Sequence, residues 1–239
     1  MNFGFGGEDQ GGVYHSVYDD FYWYTHFSDS SFVYGRALAQ TVGTATMRLA
    51  SADVIPYDFT DLAETVGTYV SELKTLHNTM ASEAVEHNRQ VSDSGFILTN
   101  DPRHPLTIPT AEPLVPALDF SPLDSATAAL ARAAQRYQTA FDQAMDGPAT
   151  ESFVKLNADL LTSERLLLSS AGLPNRPWYK HLLYAPGFYT GYGVKTIPGV
   201  REAIEQKEWP LATTEITRVS SALNAEAALV DRAATELTH

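Results

Sequence analysis

Apolar residues recur at helical spacing along most of this chain. Leu62, Val66, Tyr69, Val70, Leu73 and Leu76 form one stripe, which predicts a helix from a cap at Thr60 to about residue 86. Ser121-Pro122 opens a second helix, with Ser as cap and Pro in the first turn. Leu130, Ala133, Tyr137, Ala140, Phe141 and Ala144 mark its buried face, and Gly147-Pro148 stops it. A third long helix is expected over about 150–171, from Leu156, Leu160, Leu161, Leu167 and Leu168. Gly172 would end it as a left-handed cap before Pro174. A short helix follows Pro198 over 199–207. The last, about 211–237, carries Ile216, Val219, Leu223, Ala227, Val230, Ala234 and Leu237.

Ahead of these lie a glycine-rich loop over residues 1–13, a short helix around 18–27 and a longer one around 30–51. A strand is expected only at residues 2–5. Residues 87–120 carry Pro102, Pro105, Pro109, Pro113 and Pro116, which forbid a regular helix. A loop this long is unusual in a compact domain, so an extended strap across a helical bundle is expected. The long helices carry many Ala and Ser residues, which permit close helix approach.

Charge narrows the function. Sixteen basic against 29 acidic residues give a net charge of −13. That balance argues against nucleic-acid binding, which needs a basic surface to release counterions. The chain has no cysteine, which excludes disulfides and thiolate metal sites. No apolar run approaches the ~20 residues of a transmembrane helix. The first residues lack the basic and apolar regions of a signal peptide, and read as a strand end and loop cut out of something larger.

Read from the residues alone, His15 is the sharpest chemical candidate. A neutral imidazole after a glycine-rich loop can bind zinc, although a lone histidine beside aromatics is more often a packed, hydrogen-bonded residue. His15, Asp19, His26 and Asp29 make an imaginable local cluster, but not a spacing with a known mechanism. Glu202, Glu205 and Glu208 read as a charged helix face. Arg176 and Lys180 read as anchors for the loop after the third helix.

Two blocks carry a resemblance. One is Tyr14-His15-Ser16-Val17-Tyr18-Asp19-Asp20; the other joins Gly172-Leu173-Pro174-Asn175-Arg176-Pro177-Trp178-Tyr179-Lys180-His181 to Tyr184-Ala185-Pro186. Together they resemble the C-terminal third of the glutamate carboxypeptidase II and transferrin receptor family of zinc peptidases. The resemblance implies an all-α fold: a four-helix-bundle-like dimerisation domain at 53–239, preceded at 1–52 by a short remnant of an α/β peptidase domain. It implies that His15 occupies a zinc-ligand position. Tyr14 is implied to donate its hydroxyl to the oxygen that gains charge. The loop 184–193 is implied to reach the substrate, with Tyr192 at a tyrosine position. Gly191 stands where the glutamate-preferring member has lysine, and Lys195 is nearby but out of place.

The leading expectation is a homodimerisation domain of a zinc carboxypeptidase-like protein, not catalytic alone. Its implied partners are a second copy, an upstream peptidase domain and, in the whole protein, a peptide substrate. Zinc belongs to the parent enzyme, which the resemblance places outside the cytoplasm. The alternative is a stand-alone, non-enzymatic interaction module of the receptor type. An unrelated helical enzyme with its site inside the bundle is disfavoured, because the legible bundle faces are apolar and no Glu-x-x-His pattern points inward.

Overall fold

A computed structural model describes residues 3–5, 13–105, 107–147 and 153–238. The chain divides into two compact units, Met1–Pro56 and Tyr57–His239. In order, the described elements are α1 (Phe21–Trp23), a π-helical turn (Tyr24–Ser28), α2 (Val33–Ala50), α3 (Phe59–Ser92), α4 (Gly95–Leu98), α5 (Ser121–Asp146), α6 (Val154–Leu160), α7 (Ser163–Leu166), β1 (Tyr184–Pro186), β2 (Val194–Thr196), α8 (Pro198–Glu205) and α9 (Trp209–Glu236). The fold is all-α, apart from one two-stranded antiparallel hairpin among the described residues.

In the first unit, Asp29 organises the turn into α2. Its carboxylate accepts from the Tyr24 hydroxyl at 3.1 Å, from Tyr34 N–H at 3.2 Å and from Gly35 N–H at 2.7 Å. Removal from water pushes its pKa up, but the N–H groups of Gly35 and Tyr34 and the Tyr24 hydroxyl outweigh that and hold it below the ordinary value. Asp29 is therefore a helix-terminus acceptor. Residues 3–5 are irregular rather than a strand; residue 2 and most of the glycine-rich loop lie outside the described residues.

The second unit is built on α3, α5 and α9. Helix α3 buries Phe59, Ala63, Val66, Val70, Leu73 and His77, a spacing of four, three, four, three and four. Leu62, Tyr69 and Leu76 flank that seam, half-buried. The cap is Asp58 rather than Thr60. Its Oδ1 accepts from Thr60 N–H at 2.9 Å and Asp61 N–H at 3.1 Å, and Thr60 lies one residue inside the helix. At the start of α5 the expected Ser121 cap is likewise absent; Asp119 Oδ1 accepts Ser121 N–H at 2.9 Å and Pro122 sits in the first turn. Helix α9 buries two-sided apolar surface, from Ala212 and Ile216 to Val230 and Ala234, and packs along α5 while also touching α6, α7 and α8.

The expected third long helix is broken. Leu161 and Thr162 separate α6 from α7, and Thr162 Oγ1 donates back to Asp159 O at 2.7 Å. Beyond α7 the backbone is diverted into extended pairing: Leu168 bridges His181, Ser169 N–H donates to Lys180 O at 2.9 Å, and Leu182 N–H donates to Leu167 O at 2.9 Å. Gly172 accordingly caps no helix. It holds φ +70°, and a Cβ there would run into the Pro177 backbone.

The strap is present over 99–105 and 107–120, after α3 runs on to Ser92 and the short α4 follows. Side chains of α3 fasten its backbone. His77 Nε2 binds Pro116 O at 2.9 Å and His87 Nε2 binds Thr110 O at 3.1 Å. Asn88 donates to Glu112 O at 2.8 Å and accepts Glu112 N–H at 2.7 Å.

Candidate functional site

Tyr14 and His15 lie in a tight turn of the first unit. Ser16 N–H donates to Val13 O at 2.9 Å, and His15 takes the left-handed φ of 63°. The His15 ring packs on the Tyr14 ring at 4.0 Å, and Tyr14 is 78% exposed. A protein-bound zinc takes three or four donors. Among the described residues no three His, Asp or Glu side chains stand close enough to hold a metal. His26 instead stacks on Tyr22 at 3.9 Å and binds Tyr22 O through Nδ1 at 2.8 Å, while Asp29 is spent on the start of α2. The described donors therefore do not fit a zinc site by themselves.

Gly191 and Tyr192 lie in the second unit, at the tip of the β1–β2 hairpin. The strands pair Tyr184 with Thr196, Ala185 with Lys195 and Pro186 with Val194. Gly187 N–H donates to Gly193 O at 2.9 Å, which closes the base of the loop. At the tip, Gly191 has φ +57° and nothing stands within 4 Å of a built Cβ. Tyr192 is 100% exposed and Tyr189 82%.

What fixes this loop is a buried ion pair that the sequence did not disclose. Arg176 and Glu202 are 2% and 8% exposed, and their charged groups meet at 2.7 Å. The other Arg176 nitrogen, Nη1, donates to Pro186 O. The other Glu202 oxygen accepts Phe188 N–H at 2.7 Å. One pair thus grips the chain on both sides of Gly187. This overturns the charged-face reading of Glu202, which points inward. Lys195, in the second strand of the hairpin, is paired with Glu205.

Beside the hairpin, Glu164 Oε1 accepts the Tyr184 hydroxyl at 2.7 Å and lies 3.0 Å from His181 Nε2. His181 Nδ1 accepts Leu183 N–H at 3.1 Å, so the ring is held neutral with its proton on Nε2. Burial pushes the His181 pKa down from 6.5, and Glu164 only partly restores it. Because the folded value lies below the unfolded one, protonation favours the unfolded chain. The stabilisation is full above pH 6.5 and is lost as pH falls below it. The melting temperature should drop between pH 7 and pH 5.5, and His181→Asn, whose amide oxygen can accept the same N–H groups, should flatten that segment of a calorimetric pH series. Inside the unit, Ser163 Oγ donates to Glu226 Oε1 at 2.6 Å. Burial pushes the Glu226 carboxyl up, so its titration acts in the opposite direction, favouring the fold as pH falls.

The profile of the transferrin receptor-like dimerisation domain matches residues 118–231, which run from the end of the strap through most of α9. A probable glutamate carboxypeptidase of Arabidopsis thaliana is 32% identical over 218 residues, covering 88% of this chain and 26% of that protein. A probable glutamate carboxypeptidase of Arthroderma benhamiae is 28% identical over 218 residues, covering 91% of this chain and 25% of its own length. An inactive zinc metalloprotease of Schizosaccharomyces pombe is 35% identical over 68 residues, 28% of this chain and 8% of that protein. The chain spans about a quarter of the length of the two carboxypeptidases. No described helix is long and apolar enough to cross a membrane.

Proposed function

Since this chain belongs to the glutamate carboxypeptidase and transferrin receptor family and carries its dimerisation domain, we propose that it is the homodimerisation region of a glutamate carboxypeptidase-like zinc metallopeptidase and is not catalytic alone. The observation that carries this reading is the profile match over 118–231, the segment that holds the α5–α9 pair. Within the reading, residues 53–239 are the dimerisation domain and residues 1–52 the end of a peptidase domain. His15 is a zinc-ligand position, and Tyr14 places a hydroxyl donor beside it. The hairpin carrying Gly191 and Tyr192 is the substrate-side loop. The partners are a second copy, the peptidase domain and, in the whole protein, a peptide.

Sedimentation equilibrium tests it. The chain should sediment at twice 26.2 kDa, with and without added zinc. A monomer that associates only with zinc would instead show a complete metal site in this chain and overturn the reading. The relative named as an inactive zinc metalloprotease favours, as a second reading, a dimerising module whose whole protein is non-enzymatic. Peptide hydrolysis by the whole protein separates the two.

A further inference from the structure

The β1–β2 hairpin is fastened at two places. The Arg176–Glu202 pair holds Pro186 O and Phe188 N–H, on either side of Gly187. The other fastening lies at its entry. There His181 Nδ1 accepts the N–H groups of Leu183 at 3.1 Å and Tyr184 at 3.4 Å. The same turn is tied to its surroundings by Leu182 N–H, which donates to Leu167 O at 2.9 Å, and by Leu183 O, which accepts Ile197 N–H at 2.8 Å. The His181 side chain is 12% exposed, and its ring stacks on Tyr184 at 3.9 Å. An imidazole nitrogen that accepts cannot also carry a proton. Protonation at Nδ1 would set an N–H against two other N–H groups, one of them on the buried Leu183.

The neighbouring groups do little to offset that clash. Among the described residues, Glu164 is the charge that acts on the ring. It is 62% exposed, already accepts the Tyr184 hydroxyl, and lies 3.0 Å from Nε2 without the alignment of a hydrogen bond. Water therefore screens its attraction for an imidazolium. The Tyr184 phenol, pushed up to about 12 mainly by its bond to Glu164, stays neutral. One residue before Glu164, Ser163 is bound to the buried Glu226 of α9, whose titration favours the fold as pH falls. Acid thus leaves α7 on α9 while it loosens the turn. We propose that the His181 turn is a proton-operated latch. When Nδ1 takes a proton from solvent, Leu183 and Tyr184 lose their acceptor and the entry of the hairpin opens, while Arg176 and Glu202 still hold Pro186 and Phe188 as the hinge.

Amide hydrogen exchange followed by NMR on the intact chain tests the latch. It needs neither zinc nor substrate, so its outcome is independent of the proposed function. After correction for intrinsic rates, Leu183 and Tyr184 should open more readily than buried α9 positions such as Leu223 and Val230, at about pH 7.5 and at about pH 5.5. Between those values their opening constants should rise several-fold and by no more than about ten-fold, the limit for one group that titrates at 6.5 in the open state. Low urea should speed exchange in α9 and leave these two amides unchanged, because a local opening exposes little surface. The neutral His181 ring should carry its proton on Nε2. His181→Asn should abolish the rise; Glu226→Gln, which keeps an acceptor for Ser163, should not. A turn that exchanges only by unfolding with α9, an opening that does not rise, or a neutral ring with its proton on Nδ1 would each overturn the latch. So would a rise that survives His181→Asn or is lost in Glu226→Gln. The first three results come from the unaltered chain and decide the matter even where a variant does not fold.

Discussion

Glu202→Ala should lower the unfolding free energy of this chain by about 3–5 kcal/mol, the usual cost of leaving one member of a buried ion pair without its partner. Arg176 is 2% exposed and would keep its charge with no carboxylate to meet it. The substitution also removes the acceptor of Phe188 N–H, so the loop loses one of its two grips. Urea denaturation followed by circular dichroism measures the loss. The double variant Arg176→Met, Glu202→Leu separates charge from shape. Replacing both partners by apolar groups of similar size is often near neutral for stability, so the double variant should recover most of what the single one loses. It should not recover the fixed loop, because neither Pro186 O nor Phe188 N–H regains a partner. Hydrogen exchange at residues 187–193 should therefore remain faster than in the unaltered chain. A single variant with unchanged stability would mean that the pair is solvated in solution.

Gly172→Ala should be comparably damaging, at about 3 kcal/mol. Two costs add. A left-handed backbone costs a non-glycine residue about 1–2 kcal/mol. A methyl group forced into packed surroundings costs about 1–3 kcal/mol more, and here it would meet the Pro177 backbone, which has no rotamer to yield. The Gly172 carbonyl also accepts from Arg218, whose other contact is the buried Glu215 at 3.0 Å, so a shifted turn pulls on α9. The melting temperature and the urea midpoint should both fall, and Gly191→Ala serves as the control. It has the same left-handed backbone and open space around it, so it should lose only the first cost.

The long helices were legible because their burial is periodic. The seam of α3 from Phe59 to His77 and the buried face of α9 repeat every three or four residues, so a stripe in the sequence becomes a stripe in the core. Four features escaped for physical reasons. The leucines of 156–168 have helical spacing whether or not the helix breaks, and the break depends on pairing with residues 180–182 that no local window contains. The Thr60 error is one of neighbouring capping residues, since Asp58 and Thr60 both carry suitable oxygens and only geometry chooses between them. Glu202 shares its spacing with Glu205 and Glu208, the pattern of a solvated face, and its partner Arg176 lies 26 residues away. The hairpin strands are three residues each, too short to show alternation. Of the candidate site, His15 stood out from the residues alone as a zinc-donor candidate, while Tyr14, Gly191 and Tyr192 were legible only through resemblance. Nothing in their own spacing distinguishes a ligand from an exposed turn, and they fall in two separate units of the fold.

The strap has a further consequence, for which lengths of chain evolution can change. Loops ordinarily absorb insertions and deletions because little depends on their register. Between Thr110 and Pro116 that freedom is gone. His87 and Asn88 hold the strap at Thr110 and Glu112, and His77, about 15 Å away along α3, holds it at Pro116, so the strap is fastened at both ends and runs overall against the direction of α3. One residue added or removed there would put every later carbonyl out of step with its donor. The segment without secondary structure is therefore held to a fixed length as strictly as a helix, with α3 as the ruler against which it is measured.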